Sequence, residues 1–130
     1  MSCPSCGGET VVVPVAEELR QYLPGDAETV ALCRACLAIE PTEETAVSVP
    51  DLTVLDDAMP SDAATAVPVV LLVGLLDSLA LHRTEITALL ERIERNGTDP
   101  LLVVDRLGAS YGDDAHVDLA ARRHQLEQLL

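Results

Sequence analysis

Two C-x-x-C pairs constrain this chain more than any other feature of its sequence. Cys3 and Cys6 form the first pair, Cys33 and Cys36 form the second, and the chain has four cysteines in all. Two thiolates separated by two residues can bind one metal ion from a tight turn, and two such turns complete a tetrahedral S4 site. The spacing therefore predicts one structural zinc ion bound by Cys3, Cys6, Cys33 and Cys36.

The residues around the first pair favour a metal-binding turn. Pro4 fixes φ after the first ligand, and Gly7 permits a positive φ after the second. Four thiolates around Zn²⁺ leave a local charge near −2, so we expect backbone N–H groups to point at the sulfur atoms. The second pair lacks both Pro and Gly, which predicts a less ideal turn. The long gap between the pairs predicts a zinc ribbon with an enlarged loop.

Other uses of the cysteines fit the sequence less well. A redox dithiol needs one reactive C-x-x-C beside a βαβ unit, and two disulfides need an oxidising compartment, whereas we expect no secretory signal peptide. Iron in an S4 site of rubredoxin type shares the first turn, but such sites are packed with aromatic residues and this segment offers Tyr22 alone. A catalytic zinc needs an open coordination position, which four cysteines would fill.

The charge composition is unusual for an acidic protein. The chain has 22 acidic and eight basic residues, a formal net charge of −14, and no lysine, since every basic residue is arginine. In this respect it resembles the proteins of extremely halophilic archaea, in which carboxylates hold hydration and molar salt screens their repulsion. The cysteine segment holds only Arg20 and Arg34 and no basic stripe. We therefore expect nucleic acid to be a less suitable partner than protein.

The sequence predicts an α+β protein: a small N-terminal zinc ribbon followed by a C-terminal helical hairpin or three-helix bundle. Residues 1–40 form the ribbon, with a strand at 11–13, a short helix at 16–23 and a second strand at 29–32. Residues 41–63 hold three prolines, many carboxylates and no basic residue, and we interpret them as an acidic linker whose apolar pieces dock in extended form. Residues 64–130 form the helical domain.

The first part of the helical domain repeats apolar residues every seven positions. The repeat consists of Leu72, Leu79, Ile86 and Ile93, with Leu75, His82 and Leu89 in the offset positions. It predicts one long helix that ends at Asn96-Gly97, with a break near His82 as the alternative. The later helices carry shorter apolar stripes, which could cover one side of this long helix but not its whole length. We therefore predict a homodimer through the helix around Leu72–Ile93, with His82 near the seam of the partner.

Two further helices follow, and no part of the domain predicts a membrane span. Asp99-Pro100 begins one helix, which Gly108 ends, and Asp113 or Asp114 caps the last one. The apolar run 67–76 is shorter than the ~20 residues that a bilayer needs, which indicates a buried helix.

No group of polar residues predicts catalysis. Asp77, Ser78 and His82 have the side-chain types of a hydrolase triad, but consecutive turns of one helix would not aim the serine at the histidine. His116 and His124 lie eight positions apart without a third ligand and are interpreted as surface residues. The chain also has no glycine-rich phosphate loop. We expect no enzyme activity, no catalytic residues and no organic cofactor.

The segment Cys3-Pro4-Ser5-Cys6-Gly7 resembles the CPxCG motif of small zinc-finger proteins common in halophilic archaea. The second pair matches the motif only as C-x-x-C. The resemblance implies zinc binding and an adaptor or regulatory role. We accordingly expect a cytoplasmic, non-enzymatic zinc ribbon that binds another protein. The alternative is a nucleic-acid-associated ribbon of the transcription or translation machinery.

Overall fold

A three-stranded antiparallel sheet forms the amino-terminal part of the protein in a computed structural model, which describes residues 2–23 and 27–130. The strands are β1 (Thr10–Pro14), β2 (Thr29–Cys33) and β3 (Ile39–Thr42), in the order β1-β2-β3. Val11 lies opposite Leu32, and Leu32 lies opposite Ile39, so these three side chains share one face. Because that face carries the larger apolar residues, it is the one that packs against the helices.

The two strands predicted in the ribbon are present, and a third strand was missed. β3 runs across the boundary that we predicted between the ribbon and the linker at residue 40. The short helix predicted at 16–23 is a 3-10 helix, Glu17–Tyr22, which buries Leu19. The α+β class, with strands followed by helices, is as expected.

The acidic stretch between the sheet and the first long helix is docked on the protein by a few apolar side chains. Leu52, Leu55 and Met59 are buried, whereas Val47 is fully exposed. Leu52–Val54 forms a turn of 3-10 helix, not the extended piece that the sequence indicated. The Ser110 hydroxyl also donates a hydrogen bond to the carboxylate of Asp56.

Four α-helices make up the remainder: α1 (Ala63–Leu75), α2 (Arg83–Arg95), α3 (Pro100–Tyr111) and α4 (Leu119–Glu127). Asp62, Asp99 and Asp118 cap α1, α3 and α4, each by accepting a hydrogen bond from a backbone N–H group in the first turn. The helical part is therefore a bundle of four α-helices, whereas we predicted a helical hairpin or a three-helix bundle.

The prediction of one long helix through residue 96 is wrong, and the break near His82 is present. Leu76–Leu81 forms a 3-10 segment in which Ser78 leaves the helical region, at φ −130° and ψ 51°. This break lets α2 fold back and pack against α1. If α1 and α2 formed one straight helix, α2 could not pack against α1, and the apolar side chains of α1 would lack this contact.

Two boundaries in the later helices also differ from the prediction. α3 continues through Gly108 and ends at Gly112, the residue that adopts a positive φ of 52°. Asp113 and Asp114 lie in a short 3-10 turn, and the cap of α4 is Asp118.

One apolar core joins the sheet to the helices. Gly74 of α1 lies so close to β3 that a Cβ atom there would be 3.4 Å from the Cβ atom of Ile39. The core takes Val13, Val15, Val30, Leu32 and Leu37 from the amino-terminal part, and residues of all four helices. The ribbon and the helices therefore do not have separate cores.

The apolar seam from which we predicted a homodimer is covered within the single chain. Its buried members are Leu72, Leu79, Ile86, Leu89 and Ile93, and Leu75 is half-buried. The argument that a second copy must cover this surface therefore no longer applies.

The stretch Ala63–Leu81 is the one segment, among the residues described, that is long and apolar enough to cross a membrane by length and composition. About 61% of its most apolar window is buried inside the protein, as in a core helix. The burial agrees with the buried helix that the apolar run predicted.

Candidate metal centre

The four predicted ligands lie together in two turns at one end of the sheet. In the first turn, the N–H of Gly7 donates to the carbonyl of Cys3 at 2.8 Å, and the N–H of Leu37 donates to that of Cys33 at 2.9 Å in the second. The residue after the second cysteine has a positive φ in both turns: 78° for Gly7 and 65° for Leu37. The two turns thus have the same backbone form, although only the first has a glycine at this position.

The sulfur atoms of Cys3, Cys6, Cys33 and Cys36 all lie within 4.8 Å of one another. The Cys3 and Cys36 sulfurs are 3.8 Å apart, and those of Cys6 and Cys33 are 3.5 Å apart. A tetrahedral zinc site with Zn–S bonds of about 2.3 Å requires sulfur atoms about 3.8 Å apart. The cluster therefore has the size to hold one metal ion of this kind.

Backbone N–H groups point at the sulfur atoms, as the charge of a thiolate cluster requires. Cys3, Cys6 and Cys33 accept hydrogen bonds from the N–H groups of Ser5, Gly8 and Ala35, with donor–acceptor distances of 3.3, 3.4 and 3.3 Å. Such donors stabilise thiolates and fix the direction in which each sulfur presents its lone pairs.

The environment affects the thiols unequally. Hydrogen bonds from the backbone N–H groups of Cys6 and Ser5 lower the pKa of Cys3 to about 7, whereas burial raises the pKa of Cys36 to about 12. Only the thiolate form binds a metal ion. Binding at this site is therefore coupled to the release of protons from thiols such as Cys36.

A close backbone approach explains one glycine beside the cluster. A Cβ atom at Gly8 would lie 2.6 Å from the Cβ atom of Ala35 and 3.2 Å from the Cys33 sulfur. Nothing larger than glycine fits between the two turns without moving one of them. The sequence alone does not reveal this contact.

The carboxy-terminal part of the chain also contacts the cluster. The N–H of His116 donates to the carbonyl of Cys36 at 2.6 Å, and its Nε2 atom lies 3.8 Å from a carboxylate oxygen of Asp77. This contact joins the segment between α3 and α4 to the second metal-binding turn, and sequence reasoning missed it. His116 and His124 are both exposed, as predicted.

The arginines of the cysteine segment are paired with glutamates. Arg20 lies 3.8 Å from Glu28, and Arg34 lies 3.8 Å from Glu9. These pairs offset the positive charge that a nucleic-acid phosphate would need on this side of the molecule.

An apolar groove lies between the sheet and the first two helices. It has a volume of about 270 Å³, and its walls include Tyr22, Leu23, Ile39 and Leu75, with His82 among its polar residues. His82 thus lies beside a groove and not inside a helical seam.

Within residues 2–23 and 27–130, the cysteine cluster is the one group of three or more His, Cys, Asp or Glu side chains whose ligand atoms could hold a metal ion. The fold and this site define an α+β protein in which a four-cysteine cluster, compatible with a zinc site, is attached to a helical bundle. The chain belongs to a family of unknown function, DUF6276, whose model matches residues 2–130. Comparisons with curated proteins and with solved structures found no match.

Proposed function

We propose that this protein is a non-enzymatic zinc protein that acts by binding another protein. Cys3, Cys6, Cys33 and Cys36 hold one structural Zn²⁺. The observation that carries this proposal is the closed shell: four sulfur atoms within 4.8 Å of one another fill a tetrahedral site and leave no position for water or substrate. A zinc ion bound in this way stabilises the fold and performs no chemistry.

The packing around the cluster supports zinc in preference to iron. The buried residues grouped with the ligands are Cys3, Cys33, Cys36 and Ala38, with no aromatic side chain among them. A metal site that needs four reduced thiols suits a cytoplasmic location, where disulfides rarely persist.

Two features of the surface support a protein partner. The pairing of Arg20 and Arg34 with glutamates disfavours nucleic acid, and the apolar groove beside Tyr22 and Leu75 offers a concave surface for an apolar side chain.

Elemental analysis of the purified full-length chain tests the metal. We expect one zinc per chain in the unmutated protein and in Ser5→Ala, which keeps the backbone N–H that contacts Cys3. Cys33→Ser should lose the zinc, because three thiolates do not complete the site. Protein that contains neither zinc nor iron would contradict the proposal.

Affinity capture from native cells in molar salt tests the partner. We expect a protein that binds the zinc-loaded chain and the control Leu102→Glu, whose exposed side chain is not part of the groove. Leu75→Glu places a carboxylate in the groove and should lose that protein. Recovery of nucleic acid in its place would favour the alternative function.

A further inference from the structure

We infer that the cysteine cluster is a redox switch, in which the Cys6 thiolate attacks a hydroperoxide and a disulfide then forms between Cys6 and Cys33. The inference rests on the proposed zinc site and adds a regulatory chemistry to it. It concerns the order in which the four thiolates react and the pairing that results.

The solvent exposure of the four cysteines determines the order in which their thiolates react with peroxide. Cys6 is exposed, whereas Cys3, Cys33 and Cys36 are only 4%, 0% and 4% accessible to solvent. Oxidation of a thiolate by peroxide depends on access as well as on thiolate character. All four residues are thiolates when they bind metal, so access decides between them and favours Cys6.

The contacts between the sulfur atoms favour a pairing across the two turns. The Cys6 sulfur lies 3.5 Å from that of Cys33, and the Cys3 sulfur lies 3.8 Å from that of Cys36. Each of these contacts joins the first turn to the second. A small movement of the side chains would bring either pair to bonding distance, and the product would keep both turns together.

The reaction proceeds in two displacements. The Cys6 thiolate attacks one oxygen of hydrogen peroxide, the O–O bond breaks, and hydroxide leaves and is protonated to water. The Cys33 thiolate then attacks the sulfur of the Cys6 sulfenic acid, the S–O bond breaks, and a second hydroxide leaves as water. In sum, two thiolates, one peroxide and two protons give one disulfide and two waters. The two electrons pass from sulfur to the peroxide.

The first disulfide removes half of the metal ligands. Cys3 and Cys36 alone offer two of the four thiolates that a structural site needs, so the chain should release its metal ion at this point. A second equivalent of peroxide can then join Cys3 to Cys36. Zinc release should therefore begin with the first equivalent.

Titration of the zinc-loaded full-length chain with hydrogen peroxide tests the inference. Released zinc is measured with a chromophoric chelator, and the disulfides are mapped by mass spectrometry after trypsin digestion without reductant. Cleavage after Arg20 and Arg34 places Cys3 and Cys6 in residues 1–20, Cys33 in 21–34 and Cys36 in 35–83. The expected first product joins 1–20 to 21–34 through Cys6. A first link within 1–20, or one that joins 35–83 to either of the other two peptides, would overturn the pairing.

A matched pair of variants tests the point of attack. Cys6→His replaces the exposed thiol by another zinc ligand and should lose the fast phase of zinc release, whereas Cys36→His replaces a buried thiol and should retain it. Equal release rates from the two zinc-loaded variants would overturn the role of Cys6. If either variant fails to bind zinc, the disulfide map of the unmutated chain decides the question. If zinc stays bound and no cysteine is oxidised after several equivalents of peroxide, the switch is refuted but the proposed function is not. A purified protein without zinc would instead refute the proposed function.

Discussion

Leu37 carries the least favourable backbone conformation of the metal-binding region. Its φ of 65° places it in the left-handed region, which costs a residue with a Cβ atom about 1–2 kcal/mol. Gly7 has the same conformation at the equivalent position of the first turn at no such cost. The side chain of Leu37 is buried in the shared core, and this burial offsets the strain.

Substitution of Leu37 should reverse the usual order of alanine and glycine. Both Leu37→Ala and Leu37→Gly lose the buried side chain, but only glycine removes the strain, so Leu37→Gly should be the more stable by about 1 kcal/mol. At Ala109, an exposed position inside α3, the glycine variant should instead be the less stable by about 0.5–1 kcal/mol. Urea unfolding of the zinc-loaded proteins measures both differences. A more stable Leu37→Ala would show that the left-handed conformation carries no cost.

The clustering of the four cysteines could be predicted from the sequence, whereas the contacts that support the cluster could not. Cysteine pairs at a fixed spacing specify the coordinating atoms directly, since each C-x-x-C turn is local. The strain at Leu37, the close approach at Gly8 and the bond from His116 to Cys36 depend on how distant segments meet. No local pattern distinguishes these three residues from others of their type.

At the scale of the elements, the break between α1 and α2 shows where periodicity is an ambiguous signal. A spacing of seven residues continues from Leu72 through Leu79 to Ile86, yet Ser78 interrupts the helix between the first two. All three leucine and isoleucine side chains are buried, because two helices that fold back on each other need apolar faces just as one long helix does. The pattern predicted burial correctly and continuity wrongly.

The predicted start of α4 was wrong because the sequence offers several possible capping residues. Three aspartates, at 113, 114 and 118, could each cap a helix by type. The hydrogen bond from His116 to Cys36 fixes the chain between them, so the helix begins only at Leu119. The contact between His116 and Cys36 thus accounts for where α4 begins, which the capping preference of aspartate alone did not determine.

The shared packing of β2 and α1 predicts that the ribbon and the helices unfold together. Leu32 of β2 is buried in the core that also contains the α1 side chains, so Leu32→Ala should cost about 2–5 kcal/mol. Loss of helical circular dichroism and loss of bound zinc should then occur at the same urea concentration, in both the unmutated chain and the variant. Val47→Ala, at a fully exposed position, is the control and should not move the midpoint. Two separate transitions would mean that the ribbon folds as an independent unit.

At the scale of the whole molecule, the sheet, the acidic segment and the helices contribute side chains to one apolar core. The segment 41–63 is strongly acidic, yet it begins within β3 and buries Leu52, Leu55 and Met59 against the core. Composition sets this segment apart from its neighbours because it is rich in carboxylates and has no basic residue. It could not reveal the docking, since three apolar side chains are few among so many acidic residues.

The balance of charge over the molecule predicts that stability depends on salt. The chain has 22 carboxylate side chains against eight arginines, so repulsion between acidic residues exceeds attraction at low ionic strength. Dilution from molar salt to ~0.1 M lengthens the Debye length from ~3 to ~10 Å, which restores this repulsion. We therefore expect the melting temperature of the zinc-loaded protein to fall on dilution. A double variant, Glu43→Gln with Glu44→Gln, removes two exposed neighbouring charges and should show a smaller fall. A melting temperature that stays constant or rises on dilution would contradict adaptation to high salt. If the melting temperature of the double variant falls as far as that of the unmutated protein, salt does not act by screening these two carboxylates.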